Sequence, residues 1–526
     1  MCRAVADLPL ARDEGGATAT IFALTLTVLT AMLGVAVDGT RWNSARQQHA
    51  SAIDTALLAG ARHLQLDPSD VTGAQTAAMS FYTRNAPAGP MIVNNSVAFM
   101  TADNGGAFTF NGTAYIRTTF LNVIGIQTLP ITVPAKAVTA QSGAGQGSDL
   151  EIAVMLDVTG SMCDDGTGPC TAGGKIDGVK HAAVDLANIV LGQTSSVYTS
   201  RIALVPFSSA VRIGVDGSTD PLMQGLTNLP QSINFWGPSY TNCSGGGYVG
   251  EIWQGGSCTV TPTQFTNWQL IPCVTERSFD ATTGFDPGDS VPGPGNWLLG
   301  HEGGRSLLSW DSTDTPMTTH TGQSAAQMSN TWNYSSDGSG CMSQPGNEVL
   351  PLTSSLTVVT NRINTLDAFG PTAGALGTVW AQYMLSPNWS GIWTGSQRPG
   401  SYADTQTRQA SGAPVLRKVA VLMTDGGFNT VRQNAVNYAT DGGAQMQNVS
   451  NYAVSVCTNM KANGIEIYTV GFNLNALSAP EQAIATATLQ ACGSDVSHFY
   501  RSLTVNELSA AFRDIALKMN PVRLSQ

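Results

Sequence analysis

The most marked shortage in this sequence is of charge. Only 12% of its 526 residues are Asp, Glu, Lys or Arg, whereas an average soluble domain has roughly 25%. The net charge is −11 and there is no long run of Lys or Arg, which argues against nucleic acid as the main partner. Because 42% of the residues are hydrophobic, the chain is not disordered, and its length predicts about two to four domains.

The motifs of common enzymes are also missing. The sequence has no HExxH frame and no GxSxG elbow, and its six His are scattered. Residues 173–175, GGK, resemble part of a phosphate loop, but Ile176 stands where Ser or Thr would reach Mg²⁺. The sequence therefore predicts that the protein is not an enzyme. An extracytoplasmic hydrolase that uses His301 and Glu302 is the least favoured alternative.

One hydrophobic run is long enough to cross a membrane. Residues 17–37 form a 21-residue stretch without a charge, and at 1.5 Å per residue this helix would span about 31 Å, the thickness of a bilayer core. A cleaved signal peptide is the main alternative, but its apolar region is shorter. Since the following residues continue a helical pattern, we expect an uncleaved single-pass anchor.

The cysteines indicate the side of the membrane. Eight of the nine follow the hydrophobic run, an even number that is compatible with disulfides in an oxidising compartment. The alternative is that several are free, buried thiols. The number of basic residues does not decide the orientation, because Arg3 and Arg12 precede the run and Arg41 and Arg46 follow it. We therefore expect residues 1–16 in the cytoplasm and the bulk of the chain on the outer side of the membrane.

Composition divides the rest of the chain. Residues 38–140 read as a helix followed by strands, an α+β module of pilin-like plan, and residues 141–148 are a Gly/Ser linker. Residues 149–526 alternate apolar strands with amphipathic helices, which predicts an α/β fold with a doubly wound, mostly parallel sheet. Residues 216–346 interrupt this pattern and hold six of the ten Trp. We expect a folded insertion, whose Trp side chains form either its core or a contact surface.

Polar residues follow two of the apolar strands. Asp157, Thr159 and Ser161 lie at the end of LEIAVMLD, Asp425 ends VAVLMTD, and Thr372 precedes a helix. Open α/β sheets bind ligands at the carboxyl ends of their strands, and carboxylates with hydroxyls suit a hard cation such as Mg²⁺. The alternative is that these residues only cap helices and turns.

These residues define three loops in chain order, the first around Asp157, the second around Thr372 and the third around Asp425. In this order the loops resemble the metal-ion-dependent adhesion site (MIDAS) of von Willebrand factor type A domains. The resemblance implies that Thr159, Ser161 and Thr372 offer oxygens to Mg²⁺, Mn²⁺ or Ca²⁺. It also implies that Asp157 and Asp425 act directly or through water, and that a carboxylate of a protein partner fills the open position. Thr159 stands where the family more often has Ser, which retains the hydroxyl.

The N-terminal sequence is similar to that of TadG-like proteins of tight-adherence (Flp) pilus assembly. Asp38, Arg41 and residues 54–59, DTALLA, carry this likeness, and segments such as RIALVPFSSAV extend it over most of the chain except the insertion. The resemblance implies a non-enzymatic, membrane-anchored pilus assembly or anchoring protein, with Cys457 and Cys492 paired. A surface adhesin that binds a host or matrix ligand with its insertion is the alternative.

Overall fold

The computed structural model contains two compact units, residues 1–140 with 522–526 and residues 141–521. The predicted insertion, 216–346, is described only in part, between 232 and 306 and at 345–346, and Glu302 and His320 lie outside the described residues. The structure describes residues 14–67, 70–102, 107–132, 134–138, 148–163, 170, 172–192, 198–213, 232–244, 247–249, 252–254, 257–277, 279–280, 284–291, 297–301, 305–306, 345–410, 412–431, 434–435, 443–519 and 523–525.

The first unit is built on one long helix, α1 (Glu14–Leu66). Its second half packs against α2 (Val71–Asn85), whose N-terminus is capped by the Asp70 side chain, which accepts a hydrogen bond from the Gly73 N–H at 2.8 Å. The interface consists mostly of small apolar side chains, which let the two helices approach closely: Ala52, Ile53, Ala56, Leu57, Ala74 and Ala78.

The first half of α1 is apolar and exposed. Among the described residues, α1 is the one helix that is long and apolar enough to cross a membrane. Its large side chains from 21 to 33 lie open rather than in a core; they include Ile21, Phe22, Leu24, Leu26, Leu29, Met32 and Leu33. This exposure is what a lipid-facing helix requires, and it agrees with the expected single-pass anchor.

An antiparallel sheet completes the first unit. β1 (Ile92–Ala102) pairs with β2 (Ala107–Arg117), and β2 also pairs with β3 (Thr128–Pro130) and β4 (Lys136–Val138). The C-terminal strand Arg523–Ser525 adds to β4. This last strand therefore belongs to the first unit, although it follows the second unit in sequence.

The second unit contains a six-stranded sheet. Five neighbouring strands are parallel, and the edge strand β7 is antiparallel to β6. The strands, in chain order, are β5 (Asp149–Asp157), β6 (Ser200–Phe207), β7 (Leu350–Thr353), β8 (Leu416–Thr424), β9 (Ile465–Phe472) and β10 (Phe499–Ser502). Their order across the sheet is β7-β6-β5-β8-β9-β10.

Helices cover both faces of this sheet. In the described part of this unit the helices are α3 (Lys175–Leu191), α4 (Leu356–Asn364), α5 (Gly374–Leu385), α6 (Ala403–Gln406), α7 (Ala444–Ala462), α8 (Ala479–Cys492) and α9 (Val505–Met519). The alternating side chains of β5 show the division, since Ala153 and Met155 pack with α5 and α7, whereas Ile152 and Val154 pack with α3, α4 and α9. The mixed α/β class predicted from the sequence is confirmed.

The segment after β6 contributes further short or irregular strands. The longest, Ser257–Arg277, pairs antiparallel with Ser232–Ser244. It also pairs with the two-residue strand Val211–Arg212, which lies only a short loop after β6. This pairing connects the long strand to the chain that leaves the main sheet. The other described strands of this segment are Gly247–Val249, Ile252–Gln254, Phe279–Asp280, Gly284–Phe285, Trp297–His301 and Arg305–Ser306. After β8, Thr430–Val431 pairs antiparallel with Asn434–Ala435.

Candidate metal site

The sheet brings the predicted residues to one edge. Asp157 is the last residue of β5, and Asp425 directly follows β8, the parallel neighbour of β5. Because parallel strands end at the same edge, the two carboxylates lie together. Thr372 precedes α5 and lies at the same edge. The Thr372 Oγ1 is so close to Gly426, the residue after Asp425, that a Cβ added to this glycine would be 3.2 Å from it.

Asp157 organises the first and third loops. Its Oδ1 accepts hydrogen bonds from the N–H and Oγ1 of Thr159 at 2.9 and 2.6 Å. Its Oδ2 accepts from the Thr424 Oγ1 at 2.6 Å and from the Asp425 N–H at 3.3 Å. Burial and the neighbouring Asp425 carboxylate raise the pKa of Asp157 to about 7. The buried Asp157 therefore holds the two loops together next to a second carboxylate, which disfavours its own ionisation.

Three hydroxyls form a chain beside the carboxylates. Ser161 donates to the Asp425 Oδ1 at 2.5 Å, and its Oγ lies 3.0 Å from the Thr159 Oγ1, which in turn lies 3.4 Å from the Thr372 Oγ1. A hydroxyl has only one hydrogen. When Thr159 donates to Asp157 and Ser161 donates to Asp425, no hydrogen is left for the 3.0 Å contact, and the lone pairs of the two oxygens face each other. A cation that contacts both oxygens would relieve this repulsion.

Backbone contacts hold the second loop against the first. Gly160 donates to the Gly370 carbonyl at 2.7 Å, and Gly370 has a φ of +85°, a left-handed conformation in which glycine carries no steric cost. The Thr372 N–H donates to the Asn429 Oδ1 at 3.0 Å, while the Asn429 N–H donates back to the Thr372 carbonyl at 3.1 Å. Asn429 is a positioning residue that the sequence pattern does not predict.

Lys175 places an ammonium group against these side chains. Its Nζ lies 2.9 Å from the Asp425 Oδ2 and donates to the Ser161 carbonyl at 2.9 Å. In the sequence this lysine belongs only to the GGK segment, which lacks the Ser or Thr of a phosphate loop. Its position at the start of α3, after the first loop, is the signal that places it near the site.

The donors fit a hard divalent cation. The five side chains supply three hydroxyl and two carboxylate groups, all oxygen ligands of the kind that Mg²⁺, Mn²⁺ and Ca²⁺ prefer. Asp157, Thr159, Thr372 and Asp425 are buried, whereas Ser161 is exposed, so the cluster opens to solvent on one side. Across the described chain no group of three His, Cys, Asp or Glu is placed to hold a metal. A metal here would depend on the hydroxyls.

Two disulfides lie in the second unit. Cys163 pairs with Cys170 only two residues after Ser161, and Cys457 pairs with Cys492 between α7 and α8. The expectation that cysteines beyond the hydrophobic run form disulfides is confirmed, as is the pairing implied for Cys457 and Cys492. Both bridges fit the prediction that this unit lies in an oxidising compartment.

Several solved structures resemble the chain at low identity. The von Willebrand factor domain of the type V pili tip protein Mfa5 from Porphyromonas gingivalis is 10% identical, with a TM-score of 0.32 over 71% of this chain and 96% of that one. The adhesive tip pilin GBS104 from Group B Streptococcus agalactiae is 11% identical, with a TM-score of 0.32 over 71% and 100%. The pilus adhesin SpaC from Lactobacillus rhamnosus GG is 9% identical, with a TM-score of 0.32, and the likeness covers 81% of this chain and 33% of SpaC.

The N-terminal segment gives a more specific comparison. No curated protein matches the chain significantly. The Tad family model, described as Flp pilus-assembly TadE/G-like, matches residues 15–63. This range includes the apolar half of α1 and the residues Asp38 and Arg41 that carry the sequence resemblance. Residues 15–63 are therefore similar to the TadE/G-like segment of Flp pilus-assembly proteins.

Proposed function

We propose that this chain is a non-enzymatic, membrane-anchored pilus assembly or anchoring protein that binds a protein partner through a divalent metal. One observation carries the proposal. Three hydroxyls and two carboxylates meet at one open sheet edge, in a chain whose N-terminus is a TadE/G-like segment. We further propose that the second unit is a von Willebrand factor A-like domain, with a doubly wound sheet and an insertion at 216–346.

The side chains divide into ligands and supports. Thr159, Ser161 and Thr372 would offer oxygens to Mg²⁺, Mn²⁺ or Ca²⁺, and Asp425 would act directly or through water. Asp157 already uses both oxygens in hydrogen bonds, so we assign it chiefly to positioning. With few direct carboxylates the bound metal would keep much of its charge, which favours an added carboxylate from a partner protein.

The membrane arrangement follows from α1 and the disulfides. The exposed apolar half of α1 would cross the bacterial inner membrane once, with residues 1–16 in the cytoplasm and the chain from residue 38 onward outside. The disulfides at Cys163–Cys170 and Cys457–Cys492 support an oxidising location for the second unit. A partner on that side would be a pilus or secretion component.

Metal binding can be tested with the full chain in detergent. Mn²⁺ binding is measured by electron paramagnetic resonance and Mg²⁺ binding by calorimetry, for the wild type and Ser161→Ala. We expect one site that the variant weakens strongly. Ser497→Ala is a matched control, because Ser497 also donates to an aspartate, Asp495, at 2.7 Å in the same unit. Absence of binding, or equal affinity in Ser161→Ala and wild type, would contradict the metal site.

Partner binding needs a separate measurement. Membranes that contain the full chain are crosslinked with and without Mg²⁺, and the captured proteins are identified by mass spectrometry. We expect a partner that is captured only with Mg²⁺ and is lost in Ser161→Ala but retained in Ser497→Ala. Capture that is independent of both Mg²⁺ and Ser161 would place the interface elsewhere on the chain.

A further inference from the structure

An apolar loop, residues 120–126, lies beside the membrane helix in the first unit. The segment 118–132 contains no charged residue. Val123 and Ile124 are 85% and 70% exposed, and Phe120 and Ile126 are also exposed. Exposing large apolar side chains to water is unfavourable, and a group of them next to each other indicates an interaction surface.

The apolar loop is held firmly on α1. The Asp38 carboxylate accepts hydrogen bonds from the backbone N–H groups of Thr119, Phe120 and Leu121 at 3.1, 2.7 and 2.8 Å. The Phe120 ring lies directly on Gly34, where a Cβ would stand only 2.6 Å from it. The exposure of the loop is therefore part of a fixed arrangement, since both its backbone and its first aromatic ring have partners on the helix.

The contacts along α1 place the loop at the level of the membrane surface. Ala45 packs in the small core below the sheet, and Trp42 donates to the Pro130 carbonyl at 2.8 Å. One turn nearer the N-terminus, Asp38 holds the loop, and Gly34 then contacts Phe120. Gly34 lies three residues inside the apolar run 17–37, which is about 4.5 Å along the helix axis. Through these contacts the apolar loop lies beside the last turn of the membrane-spanning run.

We propose that the apolar loop inserts into the leaflet next to the first unit, as a second lipid contact beside α1. Lipid is the occupant because the loop continues an apolar surface: Val35 and Val37 are exposed on the helix at the same level. Trp42 follows this level, and Trp is enriched at the membrane interface. The inference rests on the proposed single-pass anchoring, and it gives the first unit a fixed orientation on the membrane.

A photocrosslinking amino acid tests this directly. Benzoylphenylalanine replaces Val123 in the full chain, cells or their membranes are irradiated, and lipid adducts are detected by mass spectrometry. Leu26, inside the apolar run, is the positive control. Phe81 is the negative control, because it is exposed on α2 next to Tyr82, whose ring contacts His49. His49 lies twelve residues beyond the run, about 18 Å along the helix.

The outcomes separate the two proposals. We expect lipid adducts at positions 123 and 26 and none at 81, and a strong loss at 123 when Ile124→Asp is added, since a carboxylate opposes insertion. If position 26 captures lipid but position 123 captures a protein, a second copy of the chain or nothing, the loop proposal is overturned and the anchor stands. If position 26 captures no lipid, the anchoring fails and the loop proposal fails with it.

Discussion

The charged side chains at the two ends of strands β5 and β8 differ in how completely they are paired. At their starts, Glu151 and Lys418 are register partners, and the Lys418 Nζ lies 2.5 Å from the Glu151 Oε2. Both side chains are buried. Arg201 pairs with the other Glu151 oxygen, and the Leu385 carbonyl accepts from Lys418 at 2.8 Å. Each charge at this end has partners within the chain.

The carboxyl ends of the same strands are not balanced in this way. Asp157 and Asp425 lie together, and Lys175, whose side chain is 21% exposed, is the cation that contacts Asp425. Above the Asp157 pKa of about 7, where both carboxylates are ionised, the single ammonium leaves a net negative charge beside the exposed Ser161. Removing one partner of a buried ion pair is costly for folding, whereas an acidic end whose charges are not all paired and that has hydroxyl neighbours suits binding.

The largest effect is expected at the balanced end. Lys418→Met keeps the apolar stem but leaves Glu151 buried with one fewer cation, which should lower the free energy of unfolding by about 3 kcal/mol. Urea unfolding of the full chain in detergent measures this. Lys175→Met removes a lysine of the same type at the other end and should change the stability by less than about 1 kcal/mol. Equal losses of unfolding free energy in the two variants would mean that the lysines at the two ends contribute to stability to the same extent.

The next effect concerns binding rather than stability. Asp425→Asn keeps the size of the side chain but removes the carboxylate that contacts Ser161 and Lys175. We expect Mn²⁺ affinity to fall by about 100-fold, as losses around metal sites often do. Glu151→Gln is the control, because Glu151 lies near the start of the neighbouring strand β5, at the opposite end of the sheet. A similar loss of affinity in Glu151→Gln would show that the effect is one of folding and not of the site.

A smaller effect of opposite sign is expected at Lys175. Its ammonium contacts the same carboxylate that a metal would use, so the two cations compete. Lys175→Met should raise Mg²⁺ affinity about tenfold, which corresponds to about 1.4 kcal/mol. Lys180→Met is a matched control on the same helix, because Lys180 pairs with Asp177 at 3.9 Å instead. Unchanged or weaker Mg²⁺ binding in Lys175→Met would mean that the lysine supports the site.

The contrast between the two ends also shows which features a sequence can predict. β5 and β8 are recognisable because they are apolar almost throughout, and Asp157 and Asp425 because a polar residue that ends such a strand is conspicuous. The Glu151–Lys418 pair is not predictable in the same way, since each is a single charge inside an apolar run and only the strand register makes them neighbours.

Other features depend on contacts that leave no local pattern. Asn429 supports Thr372 across two different loops, and the strand Arg523–Ser525 is too short to have a recognisable period before it pairs with β4. The membrane anchor is predictable because the uncharged run is as long as a bilayer core is thick. The apolar loop at 120–126 is not, because its meaning comes from the contacts of Asp38 and Gly34.

The smallest effect is a pH dependence near the start of β9, on the balanced side of the sheet. Burial raises the pKa of the Glu466 carboxyl, but the charge of Arg417 and hydrogen bonds from Arg417, Tyr468 and His498 outweigh it and hold the pKa below the usual value. A lowered pKa contributes stability above the unfolded value of about 4.3, and this is lost as the pH falls through the folded pKa. The stability difference between wild type and Glu466→Gln, measured by urea unfolding, should therefore be larger at pH 6 than near pH 3. A stability difference that does not change with pH would mean that the contacts of Glu466 act through packing and not through charge. Paired charges would then no longer distinguish this end of the sheet from the carboxyl ends of the strands.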